Sequence, residues 1–494
     1  MKKLVLVLTL ICNICAAQPA VVNNISSLAS TQSLKKNLYF LASDKMQGRL
    51  MASHGDTLAS LFVADWFKKN KLVAPYEKGK SYFQAITTYK VTSVDKLEIN
   101  GKTYPKSGNW LPSKDFSFMD NATVLVPFFT DPDSLILALS TIDAKGKVLI
   151  LPVSLEAKIG NEDNLEKFRA KLGAKSVIAT IQSGTIMQRQ IEGSKKKSFL
   201  PQYVDSTSAF TVSKSVSSIG LTRELMSELL VADQITLKGI EEALASKSRT
   251  GFMELKTKLT AEVKKSFKKT LAPNVIGMIK GSDPSAECIV VSAHHDHDGV
   301  DGKEVYYGAV DNASGTVAIM EMASLMNQAV QKGFRPKRTI VFASFTGEER
   351  GLLGSYYYVD HPVIPIAKTR AIMNIDMMGR VDTLYSGRKA DSTYAYILVK
   401  DSLNIGLRNS LYKANEVVKL TLDKRYELPQ YAQRRIRGSD QFPFYKKGVP
   451  FLRIDCGFAI DYHQPTDTPD KINYPLLTKQ VQLAFLTLWN MASD

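Results

Sequence analysis

The stretch CIVVSAHHDHD, residues 288–298, decides the fold. Its first half, Cys288 to Ala293, is almost entirely apolar and has the length of a buried β-strand. Its second half turns polar at His294 and places three histidines and two aspartates directly after the strand. A buried strand that delivers ionisable side chains at its end is typical of a site built on a sheet edge.

Three later apolar runs repeat this pattern. The runs are Thr339 to Phe345, Ala371 to Ile375 and Val449 to Ile454. Helical patterns separate them, for example a face formed by Ile319, Ala323, Met326 and Val330. Buried strands alternating with helices predict an α/β fold whose mixed, largely parallel sheet is flanked by helices. Functional groups are then expected just past the carboxyl ends of the strands.

The 494 residues are too many for one ordinary domain. We divide them into a signal peptide (1–17), an N-terminal part of the main domain (18–100), an inserted domain (101–270) and a catalytic domain (271–494). In the first domain part, residues 38–41 and 56–69 are predicted helices, the second with Leu58, Leu61, Phe62 and Trp66 on one face. The insert is predicted to be a smaller α/β or β-rich domain. It has strand-like runs at 148–151 and 177–179 and a helix marked by Leu165, Phe168 and Leu172. It lacks a cluster of His, Cys or paired carboxylates, so we expect a structural or substrate-gating role.

The first residues resemble a secretion signal. Lys2 and Lys3 precede an apolar run that ends at Cys15, and two alanines stand before Gln18. This predicts export to the periplasm or the extracellular space, although a buried N-terminal helix is an alternative. A lipid anchor on Cys12 or Cys15 is disfavoured, because each follows an isoleucine where a small residue is wanted. No later run has the length of a membrane span.

The net charge of +16 favours acidic partners or surfaces. The densest basic stretch, around Lys264 to Lys269, lacks the interleaved aromatics of a nucleic-acid groove and is interpreted as a solvated helix face. We therefore expect no nucleic-acid partner. Cys288 and Cys456, which remain after the signal peptide, are either two free thiols or one disulfide.

The histidine-rich turn is a candidate metal site. In an extended segment His294 and Asp296 project to the same side, so Asp296 can accept the ring N–H of a metal-bound His294. Asp311 precedes a predicted helix, where it is either an N-cap or a group directed into the crevice at the sheet edge. Polar loop roles are the alternative for each residue.

Two adjacent carboxylates, Glu348 and Glu349, follow the strand at 339–345. Like charges side by side are unfavourable, and a bound cation removes the conflict. Glu349 would bind the cation while Glu348 accepts a proton from the attacking water; a solvated loop is the alternative. Asp376 and His463 each follow a further predicted strand. Two imidazoles and three carboxylates suit zinc, and two Zn²⁺ per chain would use all five ligands.

This order of motifs resembles the M28 family of di-zinc peptidases. The resemblance covers residues from about 33 to 89 and from 274 to 494, and the insert resembles a protease-associated domain. It implies that Asp311 bridges both ions, with His294 and Asp376 at one and Glu349 and His463 at the other. It also implies that Glu348 is the catalytic base and that Asp296 orients His294. The sequence departs from the family at Val310, often an acid, and at Gln441, often a histidine.

The resemblance implies an exported zinc aminopeptidase that hydrolyses N-terminal residues of peptide substrates. An acyltransferase of the glutaminyl-peptide cyclase type, working with one zinc, and a non-catalytic binding module are the alternatives. Ser439, Asp440 and Tyr462 are candidate substrate contacts, with ordinary turn roles as the alternative. Aminopeptidase is preferred to carboxypeptidase or dipeptidase from family frequency alone. The sequence leaves side-chain specificity and oligomeric state open.

Overall fold

The computed structural model describes residues 20–105, 110–112, 118–144, 146–151, 177–181, 202–205, 217–285, 287–383, 385 and 393–494. The predicted signal peptide and the predicted helix at 165–172 lie outside them. The described strands are, in chain order, β1 (Phe83–Ile99), β2 (Lys102–Tyr104), β3 (Trp110–Pro112), β4 (Phe118–Phe128), β5 (Val148–Leu151), β6 (Val177–Ile181), β7 (Gln202–Asp205), β8 (Ser217–Leu221), β9 (Gly251–Ile279), β10 (Cys288–His294), β11 (Gly299–Asp301), β12 (Glu304–Tyr306), β13 (Thr339–Phe345), β14 (Thr369–Ile375), β15 (Tyr394–Lys400), β16 (Thr421–Asp423) and β17 (Phe451–Asp455).

The described helices include α1 (Thr31–Leu41), α2 (His54–Lys69), α3 (Pro132–Leu139), α4 (Arg223–Val231), α5 (Leu237–Ser246), α6 (Ser314–Gln331), α7 (Leu353–Asp360), α8 (Leu407–Val418), α9 (Pro429–Arg437), α10 (Gln441–Lys446) and α11 (Tyr474–Ser493). The chain divides into two compact units, Met1–Thr88 with Lys269–Asp494, and Tyr89–Lys268. The divisions fall within β1 and β9, whereas the sequence-based boundaries lie at 100/101 and 270/271.

In the first unit, the strands form a mixed sheet in the order β16-β15-β17-β14-β10-β13-β9. The four central strands, β17, β14, β10 and β13, are mutually parallel. β15 runs antiparallel to β17, and the last residues of β9 run antiparallel to β13. All four apolar runs identified in the sequence are these central strands, so the predicted mixed, largely parallel sheet is confirmed.

Both faces of this sheet are covered. Along β13, Ile340 and Phe342 join the hydrophobic cluster that includes α6 and α11. The alternate residues Val341, Ala343 and Phe345 join the cluster on the opposite face, which contains residues of α7 and α10. Successive side chains of a strand point to opposite faces, so a sheet buried on both sides needs the continuous apolar runs seen in the sequence.

Helix α2 buries a face that differs from the predicted one. Val63 and Phe67 are fully buried, whereas Leu61 is 50% exposed. Leu58, Phe62 and Trp66 flank the buried stripe and pack against its edge. The apolar residues occupy more than half of the helix circumference, so spacing alone did not locate the centre of the buried stripe.

In the second unit the strands pair in the order β4-β5-β6-β8-β3, with β4 also pairing the first part of β9. β4, β5, β6 and β8 are parallel neighbours, and α4 and α5 contribute Leu229 and Ile240 to its core. The interpretation of the lysine-rich stretch as a helix face is wrong, because Lys264 to Lys269 lie within β9. The stretch is exposed on successive residues, which gives neither a helical nor a strand periodicity in the sequence.

Cys288 and Cys456 are buried free thiols and do not form a disulfide. Cys288 lies in β10, and Cys456 directly follows β17. Among the described residues, no helix combines the length and the apolar character needed to cross a membrane.

Candidate metal centre

The register of the parallel strands brings the predicted ligands to one edge of the sheet. Ala293 of β10 is paired with Ser344 of β13, and Ile375 of β14 is paired with Ile454 of β17. His294 therefore ends β10 beside the end of β13, which leads into Glu348 and Glu349, and Asp376 follows β14 directly. The carboxyl ends of three adjacent strands thus supply four of the predicted residues.

Asp311 enters the centre from a segment before α6. Its φ of −113° and ψ of 96° are not helical, and α6 begins three residues later, at Ser314. Asp311 is therefore not the N-cap; the Asn312 side chain instead accepts a hydrogen bond from the Gly315 amide. The peptide bond between Asp311 and Asn312 is cis. The Asp467 carboxylate accepts hydrogen bonds from the backbone amides of Val310 and Asp311 and so holds this segment from the far side.

The two carboxylate oxygens of Asp311 face two different histidines. Oδ1 lies 3.3 Å from His294 Nε2, and Oδ2 lies 3.1 Å from His463 Nε2. Asp376 Oδ1 is 3.4 Å from His294 Nε2, and Glu349 Oε1 is 3.3 Å from His463 Nε2. The five predicted ligands therefore converge, with Asp311 between two groups of donors.

These residues fit divalent metal ions. His294, Asp311 and Asp376 offer ligand atoms within 4.8 Å of one another. A second such set is formed by His297, Asp311 and Glu349, and a third by Asp298, Glu349 and His463. Within the described part of the chain, the buried atoms His294 Nε2 and Asp376 Oδ1 form no hydrogen bond. Buried polar atoms without a partner are costly, and mixed nitrogen and oxygen donors at this spacing are the ligand set of zinc.

Two imidazoles are available to the second set of donors. His463 directs Nε2 at Asp311 and Glu349, while its Nδ1 is bonded to Asp298 Oδ2 at 2.9 Å. His297 directs Nδ1 at Glu349 Oε1, also at 2.9 Å, and packs its ring against that of His463. His463 has the arrangement of a ligand whose second ring nitrogen is held by a carboxylate. The ring of His297 instead forms a hydrogen bond with Glu349 Oε1.

The sequence predicts an orienting acid only for His294. Asp296 lies near His294, with Oδ1 3.6 Å from Nδ1, and the same oxygen accepts the Glu348 amide at 3.1 Å. The corresponding acid for His463 is Asp298, which also pairs with Arg350. Asp298 belongs to the motif at 288–298, but alternation along an extended segment does not show which distant histidine it meets.

Asp376 has a further partner in the sheet. Arg453 of β17 lies 3.1 Å from Asp376 Oδ2 and 2.9 Å from Asp455 Oδ2, and all three side chains are buried. The guanidinium leaves Oδ1 of Asp376 directed at His294. Sequence reasoning missed Arg453, because a single arginine within an apolar strand gives no indication of its partner.

The electrostatics of Glu348 differ from those of the ligands. Burial raises the pKa of Glu348 well above its usual range, and the nearby carboxylates of Glu349 and Asp376 add to this, against an opposing effect of His294. Burial also opposes ionisation of Asp311, but the close imidazoles of His294 and His463 outweigh it and hold the pKa of Asp311 well below its usual range. The site thus combines an ionised carboxylate between the histidines with a carboxyl group of high proton affinity beside them.

The predicted substrate contacts lie in different surroundings. Ser439 is buried and its hydroxyl accepts a hydrogen bond from Asn374, while buried Asp440 accepts one from Ser355. Tyr462 is 37% exposed, and its ring lies 4.0 Å from that of His463. Gln441, one of the departures from the family pattern, donates to the last turn of α9 and is buried. Their contact with substrate stays a prediction.

Fold and site together define a metallohydrolase with its centre at the carboxyl edge of a mixed α/β sheet. A family model for peptidase family M28 matches residues 274–487. This segment is therefore similar to the metallopeptidase unit of peptidase family M28, as the motifs predicted.

Individual relatives are consistent with this assignment. A glutamate carboxypeptidase 2 homolog of Caenorhabditis elegans is 34% identical over 209 residues, 40% of this chain but only 23% of that protein. An aminopeptidase from Aneurinibacillus superposes with a TM-score of 0.57 at 17% identity, covering 96% of both chains. A zinc aminopeptidase from Bacillus subtilis gives 0.50 at 17% identity, covering 93% of this chain and 94% of that one. At such identities the two structures establish the fold.

Proposed function

We propose that this chain is an exported aminopeptidase that binds two zinc ions and removes N-terminal residues from peptides. The observation that carries the proposal is the split coordination of Asp311, whose two oxygens face His294 and His463 separately. Such a carboxylate can join two cations, with His294 and Asp376 holding one and Glu349 and His463 the other. When bound, the pair of cations polarises the substrate carbonyl and makes water a stronger nucleophile near neutral pH.

Glu348 is the proposed proton carrier. Its Oε2 lies 4.0 Å from His294 Nε2, and its backbone amide is fixed by Asp296. A carboxylate in these surroundings is a stronger base than a solvated one, so it can take a proton from the attacking water and return it to the leaving amine. Tyr462, exposed beside His463, is the proposed contact for the substrate at the edge of the centre.

The charge distribution favours an aminopeptidase over a carboxypeptidase. A carboxypeptidase needs a cation available for the substrate carboxylate. Among the described residues, the guanidinium groups of Arg453 and Arg350 are paired with aspartates, and that of Arg49 is held by backbone carbonyl groups. Buried Asp440 has one carboxylate oxygen, Oδ2, without a hydrogen-bond partner among the described residues, and it suits a positively charged N-terminus instead.

Export is proposed from the N-terminal sequence. Lys2, Lys3 and the apolar run to Cys15 have the composition of a signal peptide with cleavage before Gln18. Expression of the full chain followed by N-terminal sequencing of the exported protein tests this. We expect a mature protein that begins at Gln18, and retention of the intact chain in the cytoplasm would contradict export.

The activity is tested with purified mature protein, a metal assay and matched peptides. We expect about two zinc ions per chain and cleavage of peptides with a free N-terminus, with no cleavage after N-acetylation. Glu348→Gln should lower turnover by about 10²–10⁴-fold and leave zinc content unchanged. Formation of pyroglutamate from N-terminal glutamine peptides with one zinc per chain would instead support a cyclase, and full turnover of Glu348→Gln would refute its role.

A further inference from the structure

A buried arginine far from the ligands in sequence joins the two loops that carry them. Arg49 is fully buried, and within the described part of the chain its guanidinium donates hydrogen bonds only to backbone carbonyl groups. Nε donates to His295 at 2.7 Å, and the terminal nitrogens donate to Tyr307 at 2.7 Å and Gly308 at 2.9 Å. A fourth bond, of 2.6 Å, returns to Leu41 at the end of α1.

Three of the four carbonyl acceptors lie in the loops that carry the proposed ligands. His295 directly follows the proposed ligand His294, and Gly308 begins the segment that leads to Asp311. The carbonyl of Arg49 also accepts a hydrogen bond from the His297 amide at 3.2 Å. One side chain therefore fixes the spacing of the two loops that carry the ligands His294 and Asp311. The distance between His294 Nε2 and Asp311 Oδ1 is 3.3 Å.

The turn that inserts Arg49 is built for close approach. Gln47, Gly48 and Arg49 all adopt the left-handed conformation, with φ of 47°, 63° and 52°. A Cβ on Gly48 would lie 2.2 Å from the carbonyl oxygen of Gly299 and 2.5 Å from that of Tyr306. Gly48 therefore allows the turn to lie directly against the β11–β12 hairpin, beneath the loops, and a larger residue would displace the guanidinium.

The charge of Arg49 complements the acidic centre. Its carbonyl partners leave the positive charge without a directly bonded carboxylate. Burial lowers the pKa of Arg49 to about 10, whereas the field of Asp296 and Asp467 raises it, so the side chain is charged at neutral pH. A fixed cation beneath the ligands reduces the repulsion among carboxylates that must converge before metal binds.

From these contacts we infer that Arg49 is a positioning residue that holds the His294 and Asp311 loops in the geometry required for zinc binding. The inference rests on the proposed zinc centre. Lysine at this position would keep the charge, but its compact ammonium has three donors and cannot reproduce the planar fork that reaches four carbonyl groups. Arg49→Lys therefore tests the effect of loop spacing while the positive charge is kept.

Arg338 offers a matched control. It is also buried, donates to the backbone carbonyls of Met491 and Asp494, and precedes β13 at the end opposite the metal centre. Arg338→Lys should therefore reduce folding stability without altering the ligands. Comparing the two substitutions separates a local effect on the centre from a general loss of stability.

The experiment measures zinc affinity of metal-free mature protein by competition with a chromophoric chelator, with thermal unfolding of the same samples. We expect Arg49→Lys to bind zinc about 10–100-fold more weakly than wild type, as removal of groups that orient ligands does, and Arg338→Lys to bind within twofold. Gly48→Ala keeps Arg49 but shifts the turn, so it should also weaken zinc binding. It replaces Arg49→Lys in the test if that variant does not fold. Wild-type affinity in the folded Arg49 and Gly48 variants, or an equal loss in Arg338→Lys, would overturn the inference. Absence of zinc binding by the wild-type protein would instead refute the proposed function.

Discussion

Asp298 Oδ2 and His463 Nδ1 form a hydrogen bond of 2.9 Å between two loops that are far apart in the chain. The bond fixes the ring of His463 so that Nε2 faces Asp311 and Glu349. The same carboxylate pairs through its other oxygen with Arg350, the residue after Glu349. Asp298 therefore orients one proposed ligand and anchors the loop of another.

Asp298→Asn should weaken zinc binding by about 10–100-fold. A neutral amide at this position orients the His463 ring less firmly than the carboxylate and makes the imidazole a weaker base. Zinc titration of metal-free protein measures this. Asp461→Asn is the control, since Asp461 also ties down the loop before His463, through Arg380 and Lys471, without touching a proposed ligand. Unchanged affinity in Asp298→Asn, or the same loss in Asp461→Asn, would show that Asp298 does not orient His463.

The choice between His463 and His297 as the ligand of the second ion gives a separate prediction. His463→Ala should reduce zinc content from about two ions per chain to about one, because Nε2 of His463 is the nitrogen that faces both Asp311 and Glu349. His297→Ala should retain both ions with weaker affinity, since the Nδ1 of His297 is bonded to Glu349 Oε1 and positions that carboxylate. Metal analysis after dialysis distinguishes them, and loss of one ion only in His297→Ala would reverse the assignment.

Much of this site could be predicted because each ligand follows an apolar run that fixes its place on the sheet edge. His294 ends β10, and Asp376 directly follows β14, the parallel neighbour of β10. The partners of these ligands could not be predicted in the same way. Arg49 reaches carbonyl groups, which carry no signature in the sequence, and Asp298 is one of two equivalent-looking acids in a single motif.

The misplaced face of α2 and the lysine-rich strand have a common cause. In α2 apolar residues surround more than half of the helix, so its periodicity is weak. In β9 the exposed run KKSFKK at 264–269 has no alternation, because the residues on both sides of the strand there are exposed. Hydrophobic periodicity identifies the buried face of an element only where the opposite face is exposed.

The buried face of α2 can be tested by stability. Phe67→Ala should lower the free energy of unfolding by about 3–5 kcal/mol, because it leaves a cavity in the core shared with Phe342. Leu61→Ala should change it by no more than about 0.5 kcal/mol, since Leu61 is half exposed. Urea unfolding of metal-free protein measures both. Equal destabilisation by the two substitutions would contradict the observed orientation of the helix.

Glu321 of α6 predicts a pH dependence away from the metal centre. Burial raises the pKa of Glu321, and bonds from the Ser30 amide and the Ser33 hydroxyl only partly offset this. A raised folded-state pKa means that this carboxyl favours folding when protonated and loses that contribution as pH rises through the folded-state value. Glu321→Gln should therefore raise the melting temperature of chelator-treated protein at pH 8, with the gain shrinking toward about pH 4, where the glutamate of the unfolded chain also takes up its proton.

The control for Glu321 is Glu416→Gln on the exposed face of α8. It should leave the melting temperature nearly unchanged at pH 8. A melting temperature of Glu321→Gln at or below that of wild type at pH 8 would mean that the two hydrogen bonds outweigh burial.

The central claim is that Asp311 joins two zinc ions, one held by His294 and Asp376 and the other by Glu349 and His463. The most direct measurement is anomalous diffraction at the zinc edge from crystals of the zinc-loaded protein. We predict two peaks about 3.5–4 Å apart, with one oxygen of Asp311 in contact with each. A single peak, or two peaks of which Asp311 contacts only one, would contradict the account.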